Sequence, residues 1–253
     1  MKLHVLGSGT VCPNLRRASS GYLLEVGDEL IWLDMGSGTL RRFLEFGHDL
    51  QRVNKLFLTH VHPDHTADLV PFFFAANYAP DFWGGRQLDV YGPPGLWHFL
   101  THLGAAWSWV EPKAFERHVH ELEDGQKVDL KTCQVTAHRV VHGELNALSY
   151  RFEAEGKVFS FSGDSGVCDG LVRSARDADL FLCELAIPMT FPPKPDVHLN
   201  SVQVGQVATR AHAKRVVLTH LYPQADALDI MAEVRPEYGG LLEKAEDGSS
   251  FEV

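Results

Sequence analysis

The sequence predicts an α/β protein built from two similar halves. Three observations carry that prediction: short apolar runs alternate with helical patterns, a strand-and-turn segment recurs, and metal-competent side chains follow several strand ends. The strand candidates are residues 3–6, 22–26, 30–33, 55–58, 88–91, 135–137, 148–152, 157–161 and 216–218, each an apolar run bounded by Gly, Asp or His. Helical periodicity covers 39–46, 66–77, 96–103 and 201–212, and alternation of the two kinds of element is the mark of α/β architecture. With 253 residues and 45% hydrophobic content the chain can bury a sizeable core, and we read 1–253 as one domain.

The recurrence is in two parts. Residues 55–63, KLFLTHVHP, match 215–223, RVVLTHLYP, position by position. Upstream of each lies a second pair, WLDMGSG at 32–38 and FSGDSG at 161–166, which places an Asp after a strand both times. Two echoes in the same order predict two halves related by a pseudo-twofold, meeting at their strand ends. Open α/β sheets place ligands at the carboxyl ends of strands.

The chemistry is concentrated at residues 60–65, where His60, His62, Asp64 and His65 stand within six positions directly after a strand. Two His at alternating positions share a direction off an extended segment, and the next turn brings the carboxylate and third imidazole beside them. Pro63 between them fits a strand-to-helix corner. Such crowding suits two adjacent cations. Asp164 and His220 also follow strands, which gives six donors where two zinc ions need about six to eight. His142, at a strand end and next to Gly143, is preferred over His138 as the missing imidazole.

These residues resemble the signature of the metallo-β-lactamase superfamily, across nearly the whole chain. The resemblance implies an αββα four-layer sandwich with a dinuclear site: His60, His62 and His142 on one metal, Asp64, His65 and His220 on the other, Asp164 bridging both. It implies two divalent ions, Zn2+ with Mn2+ or Fe2+ as alternatives, and a metal-bridging hydroxide as nucleophile. Asp34 resembles the family's supporting acidic position, with a turn cap before Gly36 as the competing role.

Within the superfamily the chain resembles the ribonuclease Z-like branch. The carrying residues are Leu6-Gly7-Ser8-Gly9-Thr10, Pro13, Arg17, Ser19, Ser20, Asp34 to Thr39, Tyr91 to Leu96, Ser162 to Ser165 and His198-Leu199-Asn200-Ser201. That likeness makes Asp64 and His198 the catalytic candidates, His198 protonating the leaving oxygen. Two departures separate the chain from bacterial tRNA 3′-end nucleases: only residues 143–163 lie where those carry a long tRNA-gripping arm, and Ser37 stands where the branch usually has Glu. The expectation is therefore a hydrolase, a phosphodiesterase acting on a small or single-stranded phosphodiester. A tRNA 3′-end endoribonuclease and a noncatalytic metal-dependent binding protein are the alternatives.

Charge agrees with a small substrate. A formal net charge of −10 lowers the expectation of a nucleic-acid partner. Cys12, Cys133, Cys168 and Cys183 lie far apart, no secretory signal precedes the first strand, and no apolar stretch is long enough for a membrane span, so a cytoplasmic protein, homodimeric like relatives of its branch, is expected. Aromatic residues between 72 and 83, with Trp107 and Trp109, are read mainly as core and partly as a pocket wall. The Pro-rich loop 191–197, with Lys194, is either a lid or a rigid spacer. Arg16, Arg17, Ser19 and Ser20 offer a phosphate site or ordinary surface.

Overall fold

The computed structural model describes residues 1–83, 85–189, 192 and 196–253. Its first half contributes β1 (Lys2–Gly7), β2 (Gly21–Val26), β3 (Glu29–Leu33), α1 (Thr39–Glu45), β4 (Val53–Phe57), α2 (Pro63–Thr66), α3 (Leu69–Tyr78), α4 (Pro80–Trp83), β5 (Gln87–Gly92), α5 (Leu96–Ala106) and β6 (Glu116–Glu121). The second contributes β7 (Lys127–Asp129), β8 (Gln134–His142), β9 (Leu145–Ala154), β10 (Lys157–Phe161), α6 (Asp169–Ser174), β11 (Leu180–Glu184), α7 (Ser201–Arg210), β12 (Arg215–Thr219), α8 (Ile230–Val234) and β13 (Leu241–Lys244). The last strand, β14 (Ser250–Glu252), returns to pair with β1.

Two seven-stranded sheets result, in the orders β14-β1-β2-β3-β4-β5-β6 and β7-β8-β9-β10-β11-β12-β13. In each, the first three pairings are antiparallel and the last three parallel. The expected duplication is therefore present in the topology. It carries a correction: this order makes β11, not β12, the equivalent of β4, so the KLFLTHVHP and RVVLTHLYP segments lie on strands one place apart.

The layers follow from which faces are apolar. Leu24, Ile31 and Phe57 of one sheet pack against Val135, Phe152 and Phe159 of the other in a central core. Trp32, Phe72, Trp83 and Leu100 close the outer face of the first sheet under α1, α3 and α5, and Phe181, Val204, Val207 and Val234 do the same under α6 to α8. This is the αββα sandwich. Two buried tyrosines at matching places, Tyr22 of β2 and Tyr150 of β9, tie each sheet to the other: their hydroxyls reach Thr219 Oγ1 at 2.7 Å and the Leu58 carbonyl at 2.8 Å.

Some elements were not legible. The helix expected over 66–77 breaks after Thr66 and restarts at Leu69, because the Asp68 carboxylate turns aside to accept the Leu40 N–H (2.8 Å) and Pro71 suits a first helical turn. Strand β11 is buried at every residue and has no period to read, while β6, β7, β13 and β14 are polar or short edge strands. Among the described residues, no helix is long and apolar enough to cross a membrane.

Candidate metal centre

Residues 58–65 turn from β4 into α2 and are held by one buried carboxylate. The Thr59 N–H and hydroxyl donate to Asp34 (2.8 and 2.9 Å), His60 Nδ1 lies 3.0 Å from Thr59 Oγ1, and His65 Nδ1 lies 2.7 Å from Asp34. With the Nδ1 atoms engaged as donors, Nε2 of both imidazoles is left to point inward. Asp34 is fully buried and sits at φ 51, a left-handed conformation rare outside glycine. Its orienting role thus holds over the competing turn cap. Gly36 is required beside it, since a Cβ there would come within 2.0 Å of the Asp64 carbonyl.

The other donors arrive from the second sheet. His142 ends β8, and its Nδ1 donates to the Val197 carbonyl (2.8 Å) while the neighbouring Gly143 N–H donates to Asp196 (2.8 Å). Asp164 follows Gly163, whose positive φ of 58 and close approach to Thr59 exclude a side chain. His220 follows β12 at φ 56.

Seven side chains named from the sequence converge. His60 Nε2 and His142 Nε2 lie 3.0 and 3.1 Å from His62 Nδ1, forming one trio. His220 Nε2 and His65 Nε2 lie 3.4 and 3.8 Å from Asp64 Oδ2, forming a second. Asp164 stands between: Oδ2 is 3.9 and 3.8 Å from His60 and His142, and Oδ1 is 3.4 Å from both His65 and His220. His138, four residues before His142, is not part of either trio.

These residues fit divalent cations on three counts. Donors about 2.0–2.1 Å from a tetrahedral ion stand about 3.3 Å apart, close to the separations seen. His65 Nε2, which faces Asp64 and Asp164, is buried with no hydrogen-bond partner, and such groups are rare without a reason. Electrostatics agrees: burial, with neighbouring imidazoles, holds His60 well below its ordinary pKa and lowers that of His62, keeping both as neutral lone-pair donors. At His65 burial works the same way, but Asp164 and Asp34 outweigh it and hold the imidazole well above its ordinary value, so the carboxylates call for positive charge there.

His198, the other catalytic candidate, is buried, with its ring centroid 5.2 Å from His142 and 5.6 Å from His220. Its Nδ1 lies 3.0 Å from Glu184 Oε1. Glu184, at the end of β11, was missed by the sequence reading. It also accepts the N–H groups of Ser165 (2.9 Å) and Ala186 (3.0 Å). Nothing local marks it, because its partner lies 14 residues further on.

Other expectations are corrected. Arg17 is no phosphate anchor, since it is buried against Asp226 (2.6 Å), Ser8 Oγ and the Ala245 carbonyl, and Ser20 is buried as well. Phe72, Phe73 and Trp83 are core, whereas Phe74 and Tyr78 are about half exposed. Phe191, Pro193, Lys194 and Pro195 of the proposed lid lie outside the described residues.

Comparison with known proteins identifies the family and the fold. The family model described as a beta-lactamase superfamily domain matches residues 32–221. Protein Rv1339 of Mycobacterium tuberculosis is 32% identical over 260 residues, spanning 100% of this chain and 92% of its own, and the ribonuclease Z of Myxococcus xanthus is 28% identical over 316, spanning 100% and 98%. Among solved structures, the metallo-beta-lactamase fold protein YhfI from Bacillus subtilis superposes with a TM-score of 0.87 at 23% identity, covering 99% of this chain and 98% of that one. The short form of human tRNase Z gives 0.81 at 22% identity, covering 100% and 99%. At these identities the structural likeness is one of fold; with the family match and the donor arrangement, the chain belongs to the metallo-β-lactamase superfamily.

Proposed function

We propose that the chain is a dinuclear metal-dependent hydrolase, and that its substrate is a small or single-stranded phosphodiester. The observation that carries this reading is Asp164, one oxygen of which faces His60 and His142 while the other faces His65 and His220. His60, His62 and His142 would hold one cation, Asp64, His65 and His220 the other, with Asp164 shared. When bound, such a pair lowers the pKa of water towards neutrality and offsets charge developing on phosphoryl oxygens.

The chain's own groups complete the proposal. Asp64, which reaches the floor of an open basin, accepts a proton from the attacking water. His198, its Nδ1 fixed on Glu184, delivers a proton to the leaving oxygen. Residues 1–253 act as one domain, supported by the core shared between the sheets. Ribonuclease Z relatives keep tRNA 3′-end cleavage as the second reading, but residues 145–154 and 157–161 are strands within the sheet, joined by a two-residue turn, rather than an arm.

The test is turnover of bis(p-nitrophenyl) phosphate by zinc- or manganese-loaded protein, with metal content measured on the same sample. Expected are two ions per chain and hydrolysis that falls about 10³-fold or more in Asp164→Ala. A single ion in wild-type protein, or full turnover in the variant, overturns the dinuclear reading. Cleavage of a precursor tRNA far faster than small diesters selects the second reading.

A further inference from the structure

We propose that the edge of the first sheet carries a separate binding site for one divalent cation of the zinc type, formed by Asp89 of β5 with His118 and His120 of β6. The strands set the arrangement. In their parallel pairing Asp89 stands opposite His118 and Tyr91 opposite His120, and residues two apart on a strand face the same way. That face is the inner one, since Tyr91 and Leu122 on it belong to the central core. At the sheet's edge it opens to solvent, leaving the side chains of His118 and His120 48% and 42% exposed and that of Asp89 20%.

Both imidazoles turn to the same carboxylate oxygen. His118 Nδ1 lies 3.7 Å and His120 Nε2 3.0 Å from Asp89 Oδ1, values that bracket the roughly 3.3 Å between donors sharing a tetrahedral ion. The ring of His120 lies flat on Tyr91, with centroids 4.6 Å apart and planes 16° apart, and Tyr91 is stacked in turn on Phe57. Gln87 Nε2 donates to both Asp89 oxygens at 3.2 Å. Two of the three donors are thus oriented beforehand. Closing the set round an ion takes a turn of the half-exposed His118 ring about χ2, a soft torsion.

Charge and residue type favour a cation over a plain ion pair. Lys55, opposite Asp89 in β4, is engaged by Glu29 and Asn54, and among the described residues no lysine or arginine pairs with Asp89. Glu116, 3.7 Å from His118 Nε2, adds a second negative charge. The corresponding edge of the second sheet shows what pairing alone needs: there Arg215 of β12 meets Glu243 of β13 directly. Two histidines in place of an arginine bring lone-pair donors instead of fixed positive charge, and imidazole with carboxylate is a set that zinc accepts. Three protein donors open to solvent make an exchangeable site, so desalted protein keeps only the ions at the two trios.

Equilibrium dialysis against zinc buffered in the micromolar range tests this without depending on turnover. Wild-type protein is expected to hold about one ion per chain more than His118→Ala or Asp89→Asn, with thermal melts confirming that the variants fold. The difference counts the edge ion alone, whatever the occupancy of the trios, so it stands or falls apart from the dinuclear reading. His102→Ala is the control, because His98 and His102, with ring centroids 4.0 Å apart, form an exposed pair one turn apart on α5. Equal zinc content in wild-type protein and both edge variants overturns the proposal, and so does loss of the extra ion in His102→Ala.

Discussion

The ends of β3 and β4 in one sheet and of β10 and β11 in the other are built on the same plan with two residues exchanged. The Asp34 N–H donates to the Phe57 carbonyl at 2.9 Å, as the Ser162 N–H does to Leu182 at 3.0 Å. The Thr59 N–H then donates to the Asp34 carboxylate at 2.8 Å, as the Glu184 N–H does to Ser162 Oγ at 2.9 Å. One half thus has carboxylate then hydroxyl, the other hydroxyl then carboxylate. Each carboxylate grips the Nδ1 of one histidine, His65 for Asp34 and His198 for Glu184. His65 turns its other nitrogen into the donor set between Asp64 and Asp164, whereas His198 lies over the rings of His142 and His220. On the proposed function the duplicated clamp serves two ends: in the first half it would aim a cation donor, and in the second the imidazole proposed for proton transfer.

Glu184→Gln is the strongest way to break that comparison. The amide keeps the shape but not the charge that favours a protonated His198, so with an alkoxide leaving group kcat should fall about 10²-fold or more. With p-nitrophenolate, which leaves without a proton, the loss should nearly vanish, and metal content should hold at the wild-type level. An equal loss with both leaving groups, accompanied by lost metal, would mean that the two clamps do the same work.

Asp34→Asn is the converse substitution, with a smaller expected effect. Carboxylates behind metal-ligating histidines fix their tautomer and basicity, and removing one typically lowers metal affinity about 10- to 100-fold. Competition with a chelator should show that loss, and saturating metal should restore most of the activity. The dependence on leaving group should stay that of wild type. If excess metal fails to rescue the variant, Asp34 has a role beyond aiming His65 and, through Thr59, His60.

The same comparison explains what could be read in advance. His60, His62, Asp64 and His65 crowd one turn, so their purpose is visible in six residues. Asp164 and His220 are singled out by a glycine or a threonine at a strand end, and His142 by Gly143. Glu184 has no such mark. It closes an apolar strand, and its meaning arises only when the loop carrying His198 folds back over the sheet. The KLFLTHVHP and RVVLTHLYP echo is real in local conformation, since His62 at φ −63, ψ 150 and Tyr222 at φ −64, ψ 153 both precede a proline that opens a helical turn. It reflects a shared local task, turning from a strand into a proline-led helix, rather than equivalent strands. Pairing order, which depends on contacts far apart in the chain, was needed to find the true equivalents.

Within β8 the contrast recurs between His142, which is engaged through both ring nitrogens, and His138, which is buried with Nδ1 lacking a hydrogen-bond partner. Burial, aided by the Arg173 guanidinium, pushes His138 down to about 4. A histidine whose folded value is lowered is kept neutral by the fold, so its contribution to stability is complete above the unfolded value near 6.5 and is lost as pH falls towards 4. His138→Gln cannot take up that proton. Between pH 7 and pH 5 wild-type protein should lose about 1 kcal/mol more stability than the variant, a figure reduced for the partial solvation of the site. Urea unfolding at the two pH values measures it, and the donor histidines cancel because both proteins share them. Parallel losses in the two proteins would place the neutral form of His138 outside the fold's requirements and leave acid sensitivity to the metal centre alone.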